Sequence, residues 1–240
     1  MIEPTILFEN DELVAIDKPA GLMVHPDGKT GGETLVSWIL ARYPETEGVG
    51  EPLTLYSGER IERPGVVHRL DRETSGVLVL ARTGASFENL KHQFQNRLAL
   101  KTYRAFVHGL IKDERGIIDR PLGRNRETGL WSATVRAAGV LREARTEFRV
   151  LARGEGATYV EVSPKTGRTH QIRVHFKAIQ HPVVCDPLYG KRGGCILGFE
   201  RLALHALRLS VHLLSGEEVT FEAPLPEDFL RAESALRAER

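Results

Sequence analysis

The feature that most constrains this chain is an apolar run, Gly76 to Ala81, that directly follows a strongly polar stretch. Val and Leu side chains fill the run and a glycine opens it, which is typical of a strand buried on both faces. The preceding residues carry charges of both signs and hydroxyl groups; they read HRLDRETS over positions 68–75. The sequence therefore predicts a rigid strand that presents a polar loop.

Asp71 is the carboxylate at the centre of this loop, with Arg69 two residues before it and Arg72 directly after it. Nearby cations favour the charged form of a carboxylic acid, so we expect Asp71 to be an anion at neutral pH. Local composition is compatible with a surface loop closed by an ion pair as well as with a reactive carboxylate.

Composition limits the kinds of partner that the chain can have. It has 240 residues, 41% hydrophobic and 27% charged, which is ordinary for a globular protein with a substantial core. The formal net charge is only +1, so a nucleic acid would have to bind a local basic face. Residues 163–177 form such a segment, with four cations and no acid, whereas residues 216–240 hold seven acids and three arginines.

The cysteine content and the N-terminus bear on the compartment. Cys185 and Cys195 are the two cysteines, and they lack CxxC spacing, which argues against a zinc site and against a disulfide-stapled secreted domain. The N-terminus has acids where a signal peptide needs cations, and no apolar run approaches a membrane span. We therefore expect a cytoplasmic protein without a metal or a membrane partner.

Periodicity predicts helices and strands in alternation. Thr34 is expected to cap a helix that ends before Pro44, and Phe87, Leu90, Phe94 and Leu98 form a helical stripe over residues 86–98. Strands are expected at residues 5–8, 13–17, 145–151, 157–162, 202–214 and 219–223, and a short charged helix after Pro226.

Two later segments carry further candidate residues. Tyr103 lies in KTYRAFVHG, whose alternation predicts a strand with Tyr103 and Ala105 on one face. The second segment, PKTGRTHQIRVH over positions 164–175, suits a helix or a strand equally well. Its two histidines are five residues apart and do not share a helix face, so a metal site is not expected.

Residues 116–139 are rich in turns and arginines, and two interpretations of them stay open. The segment could be an extended hairpin that binds the phosphates of a nucleic acid, or a solvated insertion. Its four arginines are Arg120, Arg124, Arg126 and Arg136.

These segments together resemble RluA-type pseudouridine synthases over nearly the whole chain. The resemblance lies in DKPAGLMVHP at positions 17–26, HRLD followed by TSG, KTYRAFVHG, GRTHQIR and HPVVCDPLYG. It implies a mixed α+β fold, mainly antiparallel β-sheet with flanking helices around an RNA-binding cleft. The chain departs from the family at Cys185, where members commonly carry glycine.

The resemblance also assigns residue roles. Asp71 is implied as the catalytic carboxylate, Tyr103 as the side chain that packs on the target base, and Arg168 as the partner of Asp71. An arginine suits that role because its planar guanidinium can hold a carboxylate through two hydrogen bonds. Further contacts to the substrate are implied for Arg69, His68, Thr74, Gln171, Ile172 and Arg173, with Arg69 filling the space that a flipped base leaves.

The implied reaction isomerises uridine to pseudouridine in a structured RNA, with the nucleotide flipped out of its helix. The preferred substrate is large-subunit ribosomal RNA, and transfer RNA is the alternative. The reaction needs no cofactor. We expect a single catalytic domain over residues 1–240 without a separate S4 domain, and the sequence leaves the oligomeric state open.

Two other classes of protein were weighed against this interpretation. Asp71 and Glu73 could suggest a glycosidase, but that chemistry places two carboxylates on separate elements around the scissile bond. An RNA-binding module without activity would use the same basic face. It would be indicated by loss of Asp71, Tyr103 or Arg168, and all three are present.

Overall fold

The computed structural model describes residues 3–26, 32–54, 58, 60–133, 137–154, 156–190 and 193–238. The chain forms two compact units. The first comprises Met1–Leu100 and Arg208–Ala223, and the second comprises Lys101–Leu207 and Pro224–Arg240. No helix in the described ranges is long and apolar enough to cross a membrane.

The first unit is a small antiparallel sheet with two helices. Its strands are β1 (Thr5–Glu9), β2 (Leu13–Lys18), β3 (Leu53–Thr54), β4 (Arg60–Ile61) and β5 (Ser75–Ala81), and its helices are α1 (Leu35–Arg42) and α2 (Gly84–Gln95). The order β1-β2-β5 continues into β13 (Leu204–His212), which pairs with β14 (Glu218–Glu222), while β3 pairs with β4. All seven residues of β5 are buried, which confirms the predicted strand.

The helix α1 begins as the sequence predicts, whereas α2 begins two residues before the predicted start at residue 86 and ends three residues before the predicted end at residue 98. Thr34 accepts a hydrogen bond from the backbone of Ser37 and caps α1. In α2, Phe87 and Leu90 are buried in the core. The predicted stripe was wrong at Leu98, which is 50% exposed, because the helix ends at Gln95 and Arg97 turns the chain with a φ of 63°.

The second unit combines a larger, mainly antiparallel sheet with a three-stranded one. The larger sheet has the order β13-β6-β12-β11-β7 and the smaller one the order β10-β8-β9. The bounds are β6 (Leu100–His108), β7 (Arg115–Asp119), β8 (Leu122–Asn125), β9 (Trp131–Ser132), β10 (Ala137–Arg142), β11 (Arg145–Gly154), β12 (Ala157–Pro164), α3 (Gln171–Ala178) and α4 (Glu227–Ala238). The predicted hairpin of β11 and β12 is confirmed, and the open choice over residues 164–175 resolves to the helix α3.

The helix α4 contributes to the core of the second unit. The tail was predicted as a short charged helix, yet Phe229, Ala232 and Leu236 of α4 are fully buried in the main cluster. Only one side of α4 is charged, and its other side stabilises the sheet through apolar burial.

The expectation about the cysteines needs a correction, because Cys185 and Cys195 form a disulfide with their Cα atoms 4.4 Å apart. Spacing along the sequence did not indicate the bond, since the two cysteines are separated by 10 positions and meet only when the chain folds. Cys185 has a φ of 57°, the left-handed conformation that glycine adopts most easily.

Candidate active site

The loop that carries Asp71 is fixed at both ends by burial. Leu70 is 4% exposed and anchors the loop on the core, while Arg69 is exposed and Asp71 is half-buried. A turn follows in which the amide of Thr74 donates to the carbonyl of Asp71 at 3.1 Å, and β5 begins at the next residue. Asp71 therefore lies four residues before a fully buried strand of the first unit.

Lys18 supports this loop from below. It is fully buried, and its Nζ donates to the carbonyls of Pro19, Leu22 and Arg72 at 2.8, 2.9 and 3.1 Å. The amide of Gly21 donates to the same Arg72 carbonyl at 2.8 Å. A buried ammonium group is tolerated only when its donors are satisfied, so Lys18 holds the segment after β2 and the peptide after Asp71 in one arrangement.

His25 orients Arg69, which the sequence analysis assigned to the space of the flipped base. The His25 ring is 6% exposed; its Nδ1 lies 2.9 Å from the carbonyl of Pro26 and its Nε2 lies 2.7 Å from Nη1 of Arg69. A carbonyl can only accept, so Nδ1 carries the proton and the bare Nε2 accepts from the guanidinium. His25, in the segment DKPAGLMVHP, thus positions the cationic side chain of Arg69 in the loop that carries Asp71.

His68 and Thr74 were predicted to contact the substrate, and their visible contacts are internal to the first unit. His68 Nε2 accepts from the amide of Val79 at 3.0 Å, and the ring stacks on Phe94 with centroids 4.3 Å apart. Thr74 is 2% exposed, and its hydroxyl has no hydrogen-bond partner among the described residues. Their contact with RNA stays a prediction.

Tyr103 lies half-buried on β6 of the second unit, opposite Val162 of β12. Lys101 is two residues earlier on the same face of the strand, and burial lowers the pKa of its ammonium group. The Lys101 Nζ lies 3.5 Å from the position that a Cβ on residue 167 would occupy. The second unit therefore brings Lys101 next to the glycine that precedes Arg168.

Arg168 lies half-buried on the loop before α3. Its backbone amide donates to Oε1 of Gln171 at 3.1 Å, and its Nε donates to the carbonyl of Glu143 at 3.1 Å. The Nε edge of the guanidinium is therefore held by the segment between β10 and β11. The predicted pairing of Arg168 with Asp71 stays a prediction.

Gln171 organises the loop from beneath. It is 4% exposed, and its Oε1 accepts from the Thr166 hydroxyl at 2.6 Å as well as from Arg168. Its amide nitrogen donates to the carbonyl of Arg145 at 3.1 Å and to the hydroxyl of Thr146 at 3.0 Å. The hydrogen bonds of the Gln171 side chain are thus made to other groups of the protein. Ile172 is also directed towards the interior, since it is only 6% exposed.

His175 continues the same network one turn along α3. It is fully buried; Nδ1 lies 2.8 Å from the Thr146 hydroxyl and Nε2 lies 2.9 Å from the carbonyl of Arg120. The carbonyl fixes the proton on Nε2, and the Thr146 hydroxyl donates to Nδ1. Burial lowers the pKa of this imidazole, so the ring is neutral.

Arg173 makes a second, separate contact with a carboxylate. Its Nε and Nη2 each donate to an oxygen of Asp186 at 2.8 Å, and both side chains are almost fully buried, 6% and 0% exposed. Burial opposes ionisation of Asp186, but the bonds and charge of Arg173 and the amides of Tyr189 and Leu188 hold its pKa below the ordinary value. The bidentate pair connects α3 to the HPVVCDPLYG segment.

The predicted site residues thus divide between the units. Arg69, His68, Thr74 and Asp71 belong to the first unit, and Tyr103, Arg168, Gln171, Ile172 and Arg173 belong to the second. Lys18, His25 and Lys101 were not among the predicted site residues. A lysine two residues after the apolar run LVAI, at the end of a predicted strand, was a usable signal for Lys18, whereas nothing local marks the other two. No cluster of three or more metal-binding side chains occurs in the described ranges.

Solved structures first show the class of fold. A human protein, RNA Pseudouridylate Synthase Domain Containing 1, is similar over 99% of this chain and 96% of its own, with a TM-score of 0.74 and 26% sequence identity. This likeness agrees with the predicted mixed α+β fold.

The sequence itself shows the family. Residues 12–178 match the model described as RNA pseudouridylate synthase, so the chain belongs to that family. Ribosomal large subunit pseudouridine synthase D of Neisseria meningitidis serogroup A is 40% identical over 98% of this chain, and the enzyme of that name from Pseudomonas aeruginosa is 38% identical over 100%. The chain spans 61% of the length of the first relative and 73% of the second.

Proposed function

We propose that this chain is an RNA pseudouridine synthase, an isomerase that converts specific uridines to pseudouridine. The single observation that supports this most is the Asp71 loop, a half-buried carboxylate fixed by Leu70, Lys18 and β5 in a chain of this family. The fixed loop favours a reactive group over a flexible surface ion pair.

Large-subunit ribosomal RNA is the substrate that we propose. The relatives from Neisseria meningitidis and Pseudomonas aeruginosa bear that substrate in their names. Transfer RNA is the alternative that the experiment below separates. In a cell without a nucleus, this substrate implies a cytoplasmic location.

The reaction defines what the residues must do. The bond between ribose C1′ and uracil N1 breaks, the base turns over, and C1′ joins C5. C5 gives up a proton and N1 ends with one, so that atoms and electrons balance and no redox partner is needed. Attack at C1′, attack at C6 and elimination to a glycal are three routes, and each one starts from an ionised carboxylate, the role of Asp71.

Tyr103 and Arg168 complete the proposed catalytic set. Tyr103 retains the detached base by stacking, an interaction worth roughly 1 to 3 kcal/mol for an unpaired base. Arg168 keeps Asp71 charged and oriented. The hydrogen bond from Nε of Arg168 to the carbonyl of Glu143 sets the orientation of the guanidinium plane. Arg69 takes the place of the flipped nucleotide in the RNA helix, held ready by His25.

The test is to incubate wild type and Asp71→Asn with unmodified ribosomal RNA and with unmodified transfer RNA. Pseudouridine is then mapped by carbodiimide-dependent stops of reverse transcription. We expect a stop at defined positions in ribosomal RNA with wild type and none with the variant. Stops in transfer RNA alone would make that RNA the substrate, and binding of both RNAs by wild type without any stop would favour the binding module.

A further inference from the structure

The small three-stranded sheet of the second unit carries a group of side chains that the proposed reaction does not use. It occupies the arginine-rich segment for which the sequence left a phosphate-gripping hairpin and a solvated insertion equally open. Arg136 lies outside the described residues. The other side chains of the sheet favour one of the two interpretations.

Arg124, Trp131 and Arg142 form a compact stack, which we call the Trp131 platform. Arg124 and Trp131 face each other across β8 and β9, with the guanidinium carbon of Arg124 4.7 Å from the ring centroid and that of Arg142 5.9 Å from it. Nη1 of Arg124 also donates to the carbonyl of Gly129 at 2.7 Å. The guanidinium of Arg124 is thus held in place before any ligand arrives.

The rest of the sheet keeps the platform rigid. Trp131 packs with one part of its ring against a buried cluster that includes Leu122, Val174 and Tyr189. The turn between β8 and β9 is closed by Asn125, whose Oδ1 accepts from two backbone amides at 2.9 and 3.0 Å. A preorganised surface loses little conformational entropy when a ligand binds.

The charge of the platform is not compensated. Arg124, Arg126 and Arg142 are exposed, and within the described ranges no carboxylate oxygen lies within 4.0 Å of them. Several exposed arginines elsewhere do have an acid within 3.5 Å; Arg60, Arg145, Arg149, Arg208, Arg231 and Arg237 are examples. In a chain with a net charge of +1, this is a local basic face that fits a polyanion.

Apolar exposure adjoins these cations. Val140 is 84% exposed and Leu141 is 51% exposed on β10, the edge strand next to β8. Cations, an aromatic ring and apolar side chains in one place match the binding requirements of unpaired nucleotides, which have phosphates and stacking faces.

We propose that the Trp131 platform binds a single-stranded RNA segment next to the target uridine. The guanidinium groups of Arg124 and Arg142 contact phosphates, and a base stacks on the Arg124–Trp131 pair. This inference rests on the proposed function, because it assigns a second contact of the same RNA substrate.

The attachment of the sheet supports this assignment. His175 of α3 bonds the carbonyl of Arg120 just before β8, and Gln171 bonds that of Arg145 just after β10. Arg168 bonds the carbonyl of Glu143 in the same connection. RNA held by the platform is therefore held at a fixed place relative to the Arg168 loop.

The experiment uses Trp131 as its own reporter. Trp38→Phe leaves Trp131 as the single tryptophan, since the chain has two, and an oligocytidylate of about twelve nucleotides, a length within the usual site sizes, serves as a probe without uridine. We expect quenching of Trp131 fluorescence on titration. Arg124→Gln with Arg142→Gln should weaken binding about tenfold and lower the slope of log K against log salt by about 1.4, the value for two phosphate contacts on a single strand.

Arg60→Gln with Arg231→Gln is the matched control, with the same charge change at paired arginines, and should leave both values as in wild type. On the RNA substrate, the platform variant should raise KM and leave kcat unchanged. The proposal is overturned if fluorescence stays constant, if the control weakens binding equally, or if oligoglutamate of equal charge competes as well as the oligocytidylate.

The two proposals fail in different ways. Quenching by oligocytidylate without any pseudouridine formation would keep the platform and reject the reaction. Pseudouridine formation with an unchanged KM in the platform variant would keep the reaction and reject the platform.

Discussion

At the scale of single residues, a continuous series of hydrogen bonds lies under the Arg168 loop, in which each group donates to the next. The Arg145 amide donates to Thr166, Thr166 donates to Gln171, Gln171 donates to Thr146, and Thr146 donates to His175. His175 then donates to the carbonyl of Arg120. A protonated His175 would point a second N–H at the Thr146 hydroxyl, which would reverse this order and leave Gln171 competing for the same oxygen.

The first prediction concerns acid stability through His175. Its folded pKa is lowered by burial, so the unfolded state takes up a proton first as pH falls below the ordinary value of about 6.5. The stabilisation is complete above that pH and is lost as pH falls towards the folded pKa. The free energy of unfolding, measured with denaturant between about pH 5 and pH 7.5, should therefore fall more steeply with decreasing pH for wild type than for His175→Gln.

The variant should also be less stable at neutral pH by about 1 to 3 kcal/mol, because one buried hydrogen bond is imperfectly replaced. His92→Gln, on the exposed side of α2, is the control and should keep the wild-type slope. Equal slopes in wild type and His175→Gln would contradict a neutral buried imidazole.

The second prediction concerns Asp186. Replacing it with asparagine leaves the buried Arg173 without its bidentate partner, and we expect a loss of about 3 to 5 kcal/mol in the free energy of unfolding. The exposed pair of Arg231 and Glu227 is the comparison, and Glu227→Gln should cost less than about 1 kcal/mol. Denaturant midpoints measure both, and a similar small cost at both sites would refute the structural role of the Asp186 pair.

The sequence could indicate some of these residues but not their partners. Asp71, Arg168 and Asp186 stand in recognisable motifs, and burial of Leu70 follows from its place before β5. The role of Gln171 depends on Thr146, 25 residues away, and that of Lys18 depends on a carbonyl 54 residues away. Such contacts form only after the chain folds, so local patterns carry no trace of them.

At the scale of elements, Lys18 joins three pieces of chain: the end of β2, the turn after it and the Asp71 loop. In the ladder, Lys18 faces Gly76 of β5. Its ammonium group donates hydrogen bonds to three backbone carbonyls, and no apolar side chain could supply these donors.

The third prediction is therefore a loosening of the Asp71 loop in Lys18→Met. Three carbonyls lose their donor, and we expect a stability loss of about 2 to 4 kcal/mol, since each buried acceptor left unsatisfied is costly. Hydrogen exchange at the Thr74 amide, which bonds Asp71, should become faster, whereas exchange in β11 and β12 should change little. Lys112→Met, at an exposed position, is the control, and unchanged Thr74 exchange in Lys18→Met would count against the support role.

Elements were predictable where burial or capping is local. The continuous apolar run gave β5, and Thr34 gave the start of α1. The end of α2 was missed because Arg97 adopts a positive φ that its sequence does not require. The burial of α4 was missed because its apolar positions are interleaved with five charged residues, which hide a narrow apolar stripe.

At the scale of the whole molecule, the chain builds two units whose boundaries do not follow sequence order. The strand β13 starts in the second unit and ends in the first, and the last segment returns to the second unit as α4. Periodicity reports neighbours within a helix or strand, so it could not indicate this division. The single catalytic domain expected from the resemblance stays a prediction.

The proposed function distributes its residues over this division. The carboxylate belongs to the first unit, and the stacking tyrosine, Arg168 and the Trp131 platform belong to the second. Changes in the platform are expected to act on RNA binding, and changes at Asp71 on the chemical step.

The most direct test of that claim is release of tritium from C5 of uridine in labelled ribosomal RNA under single-turnover conditions. The new bond from C1′ to C5 requires loss of this hydrogen, whichever route the reaction takes. Asp71→Asn keeps the backbone turn and removes the charge, while Glu73→Gln removes a neighbouring charge and tests the two-carboxylate alternative. We expect release by wild type and Glu73→Gln and at least a thousandfold slower release by Asp71→Asn, about 4 kcal/mol in the barrier. Release by Asp71→Asn at the wild-type rate would contradict the assignment of Asp71 as the reactive carboxylate.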